Sequence, residues 1–188
     1  LNQAWPLIDP SSGWISRASL VRAQRMLAKF AEYHHTNPRT VVGAELSFEL
    51  TLGRAHIRGN VDRLEVDADG NYYVVDFKTG KNPISKGDAL ENLQLACYQI
   101  GVMLKGFEKQ LDGNKVAGSE LIYIGTDAKS FATRERPPVD LAEISAQVEE
   151  IAQGMGASTF TARINPMCKH CQVKTSCPLQ LEGRTVIE

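Results

Sequence analysis

A chain of 188 residues is long enough for one packed domain with decorations and too short for a second large one. Hydrophobic residues make up 43% of it and charged residues 23%, the ordinary balance of a globular protein, and no apolar run reaches the roughly 20 residues needed to cross a bilayer. The 21 Lys and Arg against 22 Asp and Glu leave a net charge of −1, so there is no global basic excess to displace phosphate counterions; any grip on a polyanion must be local or belong to another part of a longer polypeptide.

The chain opens at Leu1, without an initiator Met or a charged-then-apolar leader, and is expected to be a piece of something larger or a processed form. Residues 6–13, rich in Pro, Ser and Gly, read as a loop. Leu20, Ala23, Leu27 and Phe30 then recur at helical spacing, with Arg22, Arg25 and Lys29 elsewhere on the surface, and predict an amphipathic helix ending near Asn37-Pro38. Strands are predicted over 44–52, where Leu46, Phe48 and Leu50 alternate until Gly53, over 55–66, and over 72–78. Short turns join them into an antiparallel meander. A helix follows from Asp88 to about Lys105, with Leu93, Cys97, Ile100 and Leu104 facing the sheet, then a strand over 120–124. Pro137-Pro138 and a capping pair, Asp140 with Glu143, open a last helix whose buried stripe is Leu141, Ile144, Val148, Ile151 and Met155. The order is αβββαβα, with no internal repeat.

Chemistry concentrates in the third predicted strand. In Val74-Val75-Asp76-Phe77-Lys78 the period of two puts Asp76 and Lys78 on one face and Val75 and Phe77 on the other. The connection Asp67-Ala68-Asp69-Gly70-Asn71 predicts a three-residue hairpin loop with Gly70 left-handed. In that register Val66 pairs with Tyr72 and Asp62 falls opposite Asp76, with the backbones roughly 5 Å apart. Two facing carboxylates repel unless a positive charge lies between them, and a divalent cation with Lys78 nearby supplies it. Asp62 and Asp76, helped by the backbone carbonyl of Phe77, would hold Mg²⁺ or Mn²⁺ against a phosphate oxygen, and Lys78 would orient a water or stabilise developing charge. Glu45 on the first strand is a further candidate ligand, direct or through water. Taken alone, a D-x-K is more often a surface acid-base pair.

It does not stand alone. Glu45-Leu46-Ser47-Phe48, Gly59-Asn60-Val61-Asp62-Arg63-Leu64, Val75-Asp76-Phe77-Lys78-Thr79-Gly80 and Gln94-Leu95-Ala96-Cys97-Tyr98 follow one another in that order. Across 45–98 the chain resembles the RecB-type branch of the PD-(D/E)xK nucleases, including the nuclease domains of UvrD/RecB-type helicase-nucleases. The resemblance implies a restriction-endonuclease-like α/β (α+β) core: a mixed sheet with an antiparallel βββ meander, flanked by helices. It also implies a Mg²⁺- or Mn²⁺-dependent deoxyribonuclease acting in recombination and repair in the bacterial cytoplasm, at the nucleoid. Its partners would be DNA, single-stranded as delivered by an attached or partner helicase motor, and no membrane. Gln94 and Tyr98, four apart on one helical face, are implied to contact DNA and shape the site; on the residues alone, a Tyr packed on the sheet beside a Gln bonded to a loop is an equal reading. Arg63 could touch phosphate or form a structural salt bridge. Members of this branch often carry a metal-binding His well before the Glu motif. His34-His35 lie too close to Glu45 for that spacing and read as solvated or capping a helix end.

The tail carries Cys168-Lys169-His170-Cys171 and then Cys177-Pro178, a C-x2-C-x5-C-P run similar to the C-terminal end of the iron-sulfur staple of AddB-like nucleases. This divides the chain into a nuclease domain over 1–160 and a Cys-rich tail over 161–188. The staple's upstream fourth cysteine is missing, and Cys97, on a buried helical stripe, reads as core. A [4Fe-4S] cluster held by Cys168, Cys171 and Cys177 is therefore an expectation for a longer parent; here the alternatives are no cluster, a partial site, Zn²⁺ completed by His170, or free or oxidised thiols. Thr79-Gly80-Lys81 lacks the glycine spacing of a phosphate-binding loop. Two other readings compete: a catalytically silent DNA-binding or scaffolding module of a helicase, and a small metal or redox protein built on the tail, which leaves the carboxylates unexplained.

Overall fold

Five strands form one sheet in the order β1-β2-β3-β4-β5: β1 Thr40–Leu52, β2 Ala55–Val66, β3 Tyr72–Lys78, β4 Val116–Tyr123 and β5 Ala132–Arg136. The computed structural model describes residues 1–181 apart from 12, 110, 159 and 160. The first three strands are the expected antiparallel meander, β4 joins β3 in parallel, and β5 returns antiparallel. A parallel step needs a crossover. Here it runs through α3 (Lys86–Leu90) and α4 (Leu93–Met103). Two helices precede the sheet, α1 (Trp5–Ile8) and α2 (Gly13–Thr36), and α5 (Leu141–Gly156) follows it. This is the restriction-endonuclease-like α/β architecture, and αβββαβα describes its main path. No helix among the described residues is long and apolar enough to cross a membrane.

Alternation divides the sheet's two faces. Leu64, Val74 and Leu121 point to one side, where fully buried Leu95 and Ile100 of α4 and Ile144 of α5 complete the main core. Val75 and Ile122 point to the other, where Tyr33 of α2 covers them with Phe77 and Phe131 at the margin. The second face also holds a buried charged cluster. The Glu65 carboxylate, 0% exposed, is held by Arg39 Nε at 2.9 Å and Arg63 Nε at 2.6 Å, while Arg39 reaches Glu120 Oε2 at 2.7 Å. Tyr33 and Asn37 of the α2 end also donate to Glu65. Removing one member of such a cluster leaves an uncompensated buried charge, a loss of about 3–5 kcal/mol, so it ties α2 to β2 and β4.

The departures from expectation have local causes. Residues 6–13 are not all loop: Trp5–Ile8 form a helical turn, with Trp5 Nε1 donating to Ser16 Oγ at 3.1 Å. The single helix expected from Asp88 is two, because Ser85 and Asp88 form a reciprocal capping box and Asn92 then caps Leu95 N to start α4 afresh. β5, Ala-Thr-Arg-Glu-Arg, escapes the sequence reading because an edge strand half in water carries little apolar alternation. In α5 the expected cap holds, Asp140 Oδ1 accepting from Glu143 N at 2.8 Å, but the buried stripe stops early. Ile144 and Val148 are buried, whereas Ile151 and Met155 are 48% and 65% exposed.

Candidate active site

The hairpin between β2 and β3 sets the site. Gly70 adopts φ 79, which a Cβ would make unfavourable, and Val66 pairs with Tyr72. The ladder runs to Arg63 and Val75, and continuing its register by one step puts Asp62 across from Asp76, whose carboxyl it influences electrostatically. There the strands part, and Asp62 Oδ2 takes the N–H of Phe77 at 2.7 Å. The Phe77 ring meanwhile points to the other face, 5.0 Å from Phe30 and 5.5 Å from Tyr33 between centroids.

Asp76 lies on the α4 face, only 4% exposed. Its Oδ2 is 2.7 Å from Lys78 Nζ, a charged contact that is its partner among the described residues. Its Oδ1 receives two long contacts from α4, Gln94 Nε2 at 3.4 Å and Tyr98 OH at 3.4 Å. Gln94 Nε2 also donates to Tyr98 OH at 2.7 Å, so the two α4 side chains act as one unit over the acid. The four-residue spacing and helical geometry account for that contact. Burial pushes the Asp76 carboxyl above its ordinary value; Lys78 opposes the shift and Asp62 reinforces it. The Tyr98 phenol is pushed up to about 12, first by burial and then by Asp76.

The other sequence candidates are placed as follows. Glu45 sits between the pairs Ala44–Arg63 and Leu46–Val61, the position opposite Asp62 in β1. It is exposed, in the left-handed region at φ 50, and makes no hydrogen bond or ion pair among the described residues. A non-glycine residue there costs about 1–3 kcal/mol unless its surroundings hold it, and such strain gathers at functional positions. Arg63 is not at the site. Alternation turns it to the α2 face, where its Nε meets Glu65 and its Nη2 lies 3.1 Å from His34 Nδ1, so the salt-bridge reading holds and the phosphate reading has no exposed guanidinium to use. His34 and His35 occupy the last turn of α2, exposed and stacked at 6.1 Å. Cys97 is half-buried beside the main core, and burial pushes its thiol up.

Among the described residues no three His, Cys, Asp or Glu side chains group closely enough to hold a metal ion. The expected three-acid convergence is therefore a two-acid site, with Glu45 adjacent in register and its carboxylate uncommitted. The carboxylates of Asp62 and Asp76 are an all-oxygen donor pair, the chemistry that fits a hard divalent cation. Cys168, Cys171 and Cys177 are free thiols in a tail of two short 3-10 turns, Pro166–His170 and Lys174–Ser176, and do not converge on a common centre. That geometry does not fit a cluster.

The family model for the PD-(D/E)XK nuclease superfamily matches residues 1–178, nearly the whole chain. The chain belongs to the PD-(D/E)XK nuclease superfamily. Members typically use a divalent metal and act on nucleic acid, which agrees with the donor chemistry of the facing acids. Among solved structures, the crystal structure of SSO0001 is similar with a TM-score of 0.44 at 18% identity, over 87% of this chain and 72% of that one. A search of curated proteins finds no match.

One side chain bonded beside Lys78 has no motif signal. Arg22 of α2 donates through Nη2 to the Thr79 carbonyl at 2.9 Å, bracing the residue after Lys78. In the sequence it is one surface cation among several, and only its fold partner marks it.

Proposed function

We propose that the chain is the nuclease module of a helicase-nuclease, hydrolysing phosphodiester bonds in DNA, single strands in particular, during recombination and repair. The observation that carries this reading is Asp76: nearly fully buried, beside Asp62, with Lys78 at 2.7 Å and its carboxyl pushed up by burial. A buried acid beside a second acid is unfavourable in the protein alone and is made good by a bound cation.

Asp62 and Asp76 would hold Mg²⁺ or Mn²⁺, with Glu45 as the next donor. When bound, the metal supplies Lewis-acid polarisation of a phosphoryl oxygen and a water of lowered pKa. The remaining work belongs to the chain. Lys78, with its side chain 34% exposed, offers N–H donors to a phosphate oxygen or water facing Asp76. Tyr98, its phenol pushed up to about 12, keeps its proton at neutral pH and stays a donor to Asp76. Gln94 holds that hydroxyl in place, and the N–H of Phe77 fixes Asp62.

The test is Mn²⁺- or Mg²⁺-dependent cleavage of single-stranded DNA by the wild type and by Asp76→Ala. Cleavage lost on substitution is expected, and cleavage that survives it rejects the site. The uncommitted Glu45 and the two-acid count favour one second reading, a catalytically silent DNA-binding or scaffolding module of a helicase. An inactive wild type that still binds DNA would favour that reading.

A further inference from the structure

A groove of about 550 Å³ opens at the end of the sheet where β3 finishes, enclosed by α2, the turn after Lys78 and the loop between β4 and β5. Its charge is one-sided. Arg22, Arg25, Lys29, Lys81 and Lys129 line it, and Asp127 is the single acid among the lining residues. Five of the chain's 21 Lys and Arg are thus gathered in one place, although the net charge is −1.

Lys29 forms the floor and has an unusual setting. The residue is 4% exposed, yet its Nζ donates only to the carbonyl and hydroxyl of Thr126, at 2.6 and 3.1 Å, with no carboxylate in ion-pair reach among the described residues. An ammonium carries three donors, two are used, and a buried cation facing neutral oxygens favours an anion beside it. Arg25 and Lys129 make no hydrogen bond or ion pair among the described residues, and Lys81 has only an exposed contact with Asp127 at 3.4 Å. The groove is also joined to the candidate site. Arg22 holds the Thr79 carbonyl, and the N–H groups of Ile124 and Gly125 lie 3.0 and 3.3 Å from the carbonyl of Lys78.

We infer that this groove binds the phosphates of a single nucleic-acid strand that continues from the carboxylate pair over the ends of β3 and β4 to the α2 side. The inference rests on the nuclease reading. Among the described residues no aromatic ring lines the groove, so the recognition is of backbone charge, without stacking or base preference.

The experiment measures affinity for a labelled oligothymidylate by fluorescence anisotropy, in EDTA so that nothing is cleaved, across a range of KCl concentrations. The variant is Arg25→Gln with Lys129→Gln, two exposed side chains whose replacement breaks no internal hydrogen bond or ion pair. The control is Arg58→Gln with Lys115→Gln, exposed cations elsewhere. Each phosphate of a single strand that is no longer neutralised lowers the magnitude of the log-log salt slope by about 0.7, so the slope of the groove variant is expected to fall by about 1.4 and that of the control to stay put. Mn²⁺-dependent hydrolysis of bis(p-nitrophenyl) phosphate, too small to reach the groove, is expected to be unchanged in the groove variant. Equal slopes in variant and wild type, an equal fall in the control, or a wild type that does not bind would each overturn the groove assignment. A groove-dependent slope in a chain that hydrolyses no diester supports the groove and removes the nuclease reading. Hydrolysis with a slope indifferent to the groove does the reverse.

Discussion

Replacing Asp76 by Asn should stabilise the metal-free protein while abolishing its response to metal. Asp76 is 4% exposed, and burial pushes its carboxyl up even with Lys78 at 2.7 Å. Desolvating a carboxylate that its partners compensate only in part costs about 1–3 kcal/mol. Against that stands the lost ion pair with Lys78, whose side chain is 34% exposed and can turn to water, so that its contribution is about 0–1 kcal/mol. The net gain is about 0–3 kcal/mol, and each kcal/mol raises the unfolding midpoint of a chain of this size by about 2–4 °C. The pH dependence follows from the direction of the shift. The folded-state Asp76 carboxyl titrates above its unfolded value, so the folded protein holds this proton longer. Below the unfolded value both states are protonated and the two proteins are alike. As pH rises through the folded value the wild type loses stability relative to the variant, and the difference is complete above it. Added Mg²⁺ at a hundredfold excess over its dissociation constant should return about 2.7 kcal/mol to the wild type and far less to the variant. Differential scanning calorimetry at several pH values, with EDTA and then with Mg²⁺, reads all of this. A lower midpoint for the metal-free variant, or equal Mg²⁺ responses, would refute the account of Asp76 as a desolvated cation ligand.

Three further outcomes are expected. Glu65→Ala removes the carboxylate that holds the buried Arg63 guanidinium, while Arg39 keeps Glu120, and should cost about 3–5 kcal/mol in urea unfolding, with no direct effect on the carboxylate pair. Gly125→Ala would drive a Cβ into the Thr79 carbonyl, so the loop must move; a loss of about 1–3 kcal/mol is expected, with cleavage falling further than stability when assayed well below the midpoint. Tyr98→Phe keeps the ring against Phe48 but removes the long hydrogen bond to Asp76 and the acceptor that Gln94 uses, and should slow cleavage about fivefold at a stability cost of about 1–2 kcal/mol.

Local geometry accounts for the parts of this site that can be read from residues in order. The period of two in β3 places Asp76 with Lys78, and the loop ending in Gly70-Asn71 places Asp62 across from them; both follow from backbone rules that need only neighbours in sequence. The helix carrying Gln94 and Tyr98 is legible for the same reason, as is the capping of α5 by Asp140. Arg63 shows the boundary. Alternation already separates it from Asp62, but its role depends on Glu65 and on His34 from α2, 29 residues earlier, which no local pattern pairs with it.

The sequence by itself determined the βββ meander, the facing acids and the lysine, because those depend on spacing along single strands and one tight turn. Only the tertiary structure decided that Glu45 stands beside the pair with its backbone left-handed, that the tail thiols stay apart, and that cations from α2, the turn after β3 and the β4–β5 loop share one groove. Those outcomes depend on which face each helix covers and where distant loops meet, and arrangements of that kind are set by packing across the sheet and not by the order of neighbouring residues.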